Sequence, residues 1–109
     1  MVLHIDFSLT KYTELTDLTG QLNLFLHRWE KIYGKDEVET TSAERLQGII
    51  LRAYKQTGTP IAVLIDEYDA PLLDSNFDIQ LQKQLRNEMR KFFSPLKGLG
   101  QYLRFLFIT

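Results

Sequence analysis

The sequence contains no cysteine. A disulfide scaffold, a thiol nucleophile and a cysteine-based zinc site are therefore excluded, and the composition fits a reducing compartment. Nor is there an excess of one charge: 13 Lys and Arg nearly cancel 14 Asp and Glu, leaving a net charge of -1. With no broad electrostatic field, the bulk charge does not indicate nucleic acid or a membrane surface as a partner. No apolar stretch approaches the ~18 residues of a membrane span. Met1 to Phe7 lacks the basic start and long apolar run of a secretory signal. A cytoplasmic protein is expected. Internal repeats and low-complexity tracts are missing as well.

What remains is the composition of a globular domain, 44% apolar and 25% charged, in a chain of 109 residues with room for one domain. Hydrophobic periodicity divides it into six segments. Val2 to Phe7 is a short β-favouring run. Leu15, Leu18, Leu22, Phe25, Trp29 and Ile32 recur at helical spacing, and Gly34 is a plausible stop. Residues 35–40 are polar and read as a loop. Thr41 and Glu44 sit at capping-box spacing before a second helix with Leu46, Ile49, Ile50, Ala53 and Tyr54 on one face. Gly58 and Pro60 end it.

Ile61-Ala62-Val63-Leu64-Ile65 is continuously apolar, which predicts a strand covered on both faces, as in a parallel sheet. A third helix is predicted after Asp78, its N-cap, with Leu81, Leu85, Met89, Phe92, Phe93 and Leu96 as its stripe. Leu103 to Ile108 forms the last strand. The order strand, helix, helix, strand, helix, strand predicts an α/β fold with three parallel strands and helices on the faces. The chain begins almost inside one strand and stops at the end of another, so a piece of a larger sheet is expected.

The main chemical signal is Asp66-Glu67-Tyr68-Asp69 after that buried strand. Open α/β sheets take their ligands beyond the carboxyl ends of the strands. A nucleotide hydrolase needs one carboxylate there to hold Mg²⁺, directly or through water, and a neighbour to orient and deprotonate the attacking water. Asp66 suits the first role and Glu67 the second. Acidic residues also follow strands simply as turn-formers and caps, and spacing alone does not separate the two readings. Tyr68 and Asp69 are expected to tie down the turn.

Other arrangements carry less. Asp74, Asn76 and Asp78 imitate the start of a calcium loop, but Ile79 replaces its glycine and Leu85 its closing carboxylate. His4 and His27 have no obvious nucleophile beside them, so a triad lacks support. Arg86, Arg90 and Lys91 read as a solvated helix face. Trp29, Phe92 and Phe93 read as core.

The chain resembles the bacterial AAA-ATPase-like proteins, which are often fused to a nuclease-like C-terminal domain of the PD-(D/E)XK type. The resemblance runs through His4-Ile5-Asp6-Phe7-Ser8, Ser42-Ala43-Glu44-Arg45-Leu46 and Arg52-Ala53-Tyr54-Lys55-Gln56-Thr57-Gly58. It is strongest over residues 63–73, VLIDEYDAPLL, and continues through residues 102–109, YLRFLFIT. It implies a partial P-loop NTPase core of the ASCE type, whose Walker B strand ends at Asp66-Glu67. The strand ending at Thr109 would then be the sensor-1 strand, lying between Walker B and the P-loop strand, with Thr109 watching the γ-phosphate or positioning water. A polar residue is also an ordinary strand terminus.

One departure is decisive. A Walker A loop needs G-x-x-x-x-G-K-[ST], because its amides and lysine cradle the phosphates. The only Gly-Lys pair is Gly34-Lys35, with Trp29 at the first glycine position and Asp36 at the Ser/Thr position. The expectation is therefore a single incomplete domain over residues 1–109, inactive alone and binding neither Mg²⁺ nor ATP by itself. In the intact protein both cofactors would be used, and its partners would be the P-loop segment and the C-terminal domain of the same protein. The rival reading is a non-catalytic protein-interaction domain with a degenerate NTPase fold. A nuclease has less support, for no separated acidic residue precedes a Glu-x-Lys pair. Strand 103–108, left at an edge, is expected to pair with a second copy, swap or lower solubility. Light scattering on dilute protein should then report dimers or aggregates, and a stable monodisperse monomer would contradict that expectation.

Overall fold

Three short apolar runs form one parallel sheet, each returned to the same end of the molecule by helical connections. The computed structural model describes residues 2–109, apart from the side chains of residues 105–107. The apolar character read from Phe105, Leu106 and Phe107 lies outside those described side chains. Strand β1 is Val2–Asp6, β2 is Ile61–Asp66 and β3 is Leu103–Ile108. The sheet order is β1-β2-β3, with β2 central and both pairings parallel. The register sets Asp6 opposite Asp66 and Ile65 opposite Ile108, so all three strands end together.

Helix α1 spans Leu15–Tyr33 and α2 spans Ser42–Thr57. The capping box expected at α2 is formed: the Glu44 N–H donates to Thr41 Oγ1 at 3.1 Å and the Thr41 N–H to Glu44 Oε1 at 3.0 Å. Gly58 ends α2 in the left-handed region at φ 72°, where a side chain would be strained. A short helix α3, Ala70–Asp74, precedes α4, Ile79–Phe93. Asp78 caps α4, accepting from the N–H groups of Gln80 and Leu81 at 3.1 Å each. Helix α3 and the 3-10 turns at Ser94–Gly98 and Gly100–Tyr102 have too few residues to show a period, and the sequence reading missed them.

Leu3 and Ile5 of β1 and Ile61, Val63 and Ile65 of β2 belong to the same core as the stripes of α1, α2 and α4. On the even face Ala62 is buried, Leu64 is half-buried, and Val2 and His4 are exposed. The continuous run 61–65 predicts cover on both faces, and within the described residues the odd face receives most of it. Ile32, placed on the α1 stripe by spacing, is 66% exposed. One turn earlier, Trp29 packs on Phe25 at a ring separation of 6.1 Å. Among the described residues, no helix is long and apolar enough to cross a membrane.

Two arginines of α2 fasten the connection from α1. Arg45 makes two bonds to Glu30, at 3.0 and 2.7 Å, and one to Asn23 at 2.7 Å. Arg52 grips Glu39 through both terminal nitrogens at 2.8 and 3.0 Å. Gly48 makes room for this second pair, since a Cβ there would collide with the Glu39 carboxylate. That explains a glycine inside a helix, where it ordinarily costs about 1 kcal/mol relative to alanine.

The Glu30 side chain is only 5% exposed, and the Arg45 hydrogen bonds hold its carboxyl below the usual glutamate range against the opposing effect of burial. Its folded value lies below its unfolded one, so the contribution is complete above about pH 4.5 and is lost as pH falls through the folded value. Glu30→Gln should cost about 2–3 kcal/mol at neutral pH in urea unfolding, below the full cost of breaking a wholly buried pair. Its stability should also fall less steeply than wild type on acidification.

Candidate functional site at the strand tips

The end of β2 is held by the residue that follows β3. The Thr109 N–H donates to the Ile65 carbonyl at 2.9 Å, and the Tyr68 N–H donates to the Thr109 carbonyl at 3.0 Å. The Thr109 hydroxyl donates to Asp66 Oδ1 at 2.9 Å and stands 3.4 Å from the Glu67 N–H. These contacts surround a sharp change of direction. Glu67 has φ 56° and, among the described residues, is the one non-glycine at positive φ. Such a conformation is tolerated when neighbours over-determine it, and Thr109 does so from both sides.

From the other side of the sheet, His4 Nε2 lies 2.6 Å from Asp66 Oδ2. A carboxylate only accepts, so the bonded ring nitrogen carries the proton. His4 and Asp6 lie two apart on β1 and share its even face. Asp6 Oδ1 accepts from the Ser8 hydroxyl at 2.7 Å and the Ser8 N–H at 2.9 Å. Those bonds, the hydroxyl first, hold the Asp6 carboxyl below the ordinary range. The strand tips thus present two carboxylates, Asp6 and Asp66, with His4 beside them, and Glu67 turned outward to solvent.

An aromatic floor supports this edge. Phe7, fully buried, meets Tyr12, Phe25, Tyr68 and Phe93 edge-on at ring separations of 6.5, 6.3, 6.5 and 6.2 Å. Phe7 follows β1 directly and Tyr68 comes two residues after β2, so these contacts brace the turns that aim the acidic residues. Edge-on aromatic pairs contribute roughly 0.5–1.5 kcal/mol each beyond burial. Tyr12 closes the floor, donating its hydroxyl to the Phe7 carbonyl at 2.9 Å while its N–H donates to Asp74 Oδ2 at 3.1 Å. Burial first, then nearby Asp74, raises the Tyr12 phenol well above its ordinary value.

The sequence-derived candidates Asp66, Glu67 and Thr109 therefore meet at one place. Asp74 is spent on Tyr12 and Asp78 on its helix, which accounts for two of the three residues imitating a calcium loop. Asp69 occupies the N-cap position of α3 without a side-chain capping bond; its carbonyl accepts from Leu72 and Leu73 instead. Arg86, Arg90 and Lys91 are exposed, as read from the pattern. His4 was missed as a partner of the acidic pair, because 62 residues separate it from Asp66 and only the parallel register joins them. Its sequence signals were its place in the run 4–8 that carries the resemblance and a polar ring between apolar Leu3 and Ile5.

Residues 1–109 match the family model described as Predicted AAA-ATPase. The chain belongs to this AAA-ATPase-like family. It is 27% identical over 108 residues to a protein of Azotobacter chroococcum mcd 1 described as an uncharacterized protein in the vnfD 5' region. That match covers 99% of this chain and 21% of the relative, so the chain spans about a fifth of the relative's length. No solved structure matches it.

Mg²⁺ neutralises the phosphoryl oxygens when ATP is hydrolysed, and the strand tips of this AAA-ATPase-like chain carry oxygen donors of the kind it takes. Among the described residues, no three His, Asp or Glu side chains converge to hold a metal on their own. Mg²⁺ does not need such a cage, because it keeps several waters and binds one or two carboxylates together with substrate phosphates. Asp66 is 35% exposed, and its two oxygens each have one bond from His4 or Thr109, leaving lone pairs for a metal-bound water. The residues fit a water-bridged ion and not an enclosed one.

The backbone at Glu67 has a measurable consequence. Glu67→Gly should be about 1 kcal/mol more stable than Glu67→Ala in urea unfolding, because the left-handed conformation penalises any Cβ. Equal stabilities would show that the turn relaxes freely.

Proposed function

We propose that this chain is the acidic, water-directing part of an ATP-hydrolysing AAA-like core, with Asp66 and Glu67 ending a Walker B strand and Thr109 ending a sensor-1 strand. The observation that carries the reading is the position of Asp66. It sits at the carboxyl end of the central strand of a parallel sheet, partly exposed, with both oxygens oriented by neighbours. That is where an open α/β sheet takes its ligand.

In this reading Asp66 is the residue that would hold Mg²⁺, through water. The exposed Glu67 carboxylate orients the attacking water and takes its proton. Thr109, tied to Asp66 and to the backbone at Tyr68, fixes the spacing between the two strand tips. Bound Mg²⁺ supplies charge neutralisation at the phosphoryl oxygens. No G-x-x-x-x-G-K-[ST] loop occurs in the 109 residues, so the phosphate cradle comes from sequence outside them. The chain alone is inactive, and in the whole cytoplasmic protein hydrolysis gates an attached module, a nuclease-like domain being the kind the resemblance suggests.

Glu67→Gln in the full-length protein should abolish ATP turnover while leaving nucleotide binding within about threefold, since it removes a base and not a phosphate contact. Unchanged hydrolysis would refute the assignment. A non-catalytic interaction domain is the second reading, favoured by exposed Leu73, Phe77 and Ile79 around the start of α4. Calorimetry of the full-length protein with Mg²⁺-ATP separates the two, for the interaction domain gives no binding heat.

A further inference from the structure

The proposed roles leave His4 unused, although it makes the shortest polar contact at the strand tips. We infer that His4 is a positioning residue for the metal-facing carboxylate: its Nε2–H holds Asp66 Oδ2 at 2.6 Å while Thr109 holds Oδ1 at 2.9 Å, so the carboxylate plane is clamped from both neighbouring strands. The inference rests on the reading of Asp66 as the Mg²⁺ partner and adds the residue that aims it.

The geometry gives three reasons. First, an aspartate at a strand end turns freely about its side-chain bonds, and one bond from Thr109 leaves rotation about the Thr109–Oδ1 contact. A second bond to the other oxygen removes that freedom. Second, the clamp is built on rigid elements. His4 stands within β1, paired opposite Leu64, and Thr109 is anchored through its own N–H and carbonyl to β2 and the turn after it. Third, His4 is not a core residue. Its side chain is 49% exposed, so packing alone does not account for a histidine there. A hydrogen-bonded outer partner of a ligating carboxylate typically alters metal affinity by about 10–100-fold.

The arrangement also separates two tasks. Oδ1 and Oδ2 each accept one hydrogen bond from protein and keep further acceptor capacity for solvent. His4 therefore does not displace an ion. It limits the orientations open to Asp66 to those that keep both bonds. Losing His4 leaves a carboxylate that still attracts a cation but binds it in several poses.

The test is a Mn²⁺ titration of the full-length protein at about pH 8, following paramagnetic broadening of the amides of residues 66, 67 and 109. Wild type should show saturable broadening there, and Asp66→Asn should lose it. His4→Phe, which keeps an aromatic ring without the donor, should weaken Mn²⁺ binding about 10-fold. His4→Gln, whose amide can reach the same oxygen, should restore it to within about threefold, and amide spectra and melting temperatures check that each variant folds. If His4→Phe binds Mn²⁺ like wild type while Asp66→Asn does not, the positioning role is wrong and the metal role of Asp66 stands. Equal weakening in the Phe and Gln variants overturns the hydrogen-bond clamp. If Asp66→Asn retains the broadening, or wild type shows none, the metal reading falls and this inference with it.

Discussion

A single carboxylate joins the ends of all three strands. Asp66 extends from the central strand, takes a hydrogen bond from His4 on β1 and another from Thr109 just past β3. Much else at that edge follows from keeping it there. The Glu67 backbone turns into the left-handed region directly after it, the Thr109 carbonyl receives the Tyr68 N–H, and Tyr68 then drops its ring onto the Phe7 floor. Moving any strand by one residue would put these groups on opposite faces, because side chains alternate along a strand. The parallel register thus fixes the site more tightly than any single contact within it.

The elements with a long period were legible before the structure. Spacing of Leu18, Leu22, Phe25 and Trp29 gave α1, and the Thr41–Glu44 pair gave the start of α2, because both signals depend on residues within two turns of one another. The place of Asp66 and Glu67 at a strand end was legible too, since the continuous apolar run 61–65 marks a covered strand and stops at them. His4 was not, because nothing local marks a residue whose partner lies on the next strand. Helix α3 was hidden by its length, and the exposure of Ile32 by an ambiguity of spacing: the buried face runs through Leu26, Trp29, Glu30 and Tyr33, which leaves Ile32 beside it. Asp69 shows the opposite error: a residue of capping type at a cap position whose side chain makes no capping bond.

The rest of the molecule supplies stiffness to this edge. Helices α1 and α2 are fastened by Glu30–Arg45 and Glu39–Arg52, and their stripes meet the odd face of β1 and β2. The even face keeps exposed Val2 and His4, and β1 and β3 each pair on one side within the described sheet. A sheet with two open edges and one thinly covered face has surface for further elements of a longer protein. This agrees with a relative about five times the chain's length. Membership in the AAA-ATPase-like family and a parallel sheet with a carboxylate at its central tip are mutually consistent, and together they motivate nucleotide chemistry at that end.

The most direct measurement is a structure of the full-length protein with Mg²⁺ and a non-hydrolysable ATP analogue. The account predicts the triphosphate beyond the carboxyl ends of β2 and β3, Asp66 one water from the ion, and Glu67 beside the γ-phosphate. A nucleotide bound elsewhere, or Asp66 turned away from it into a contact with another domain, would contradict it.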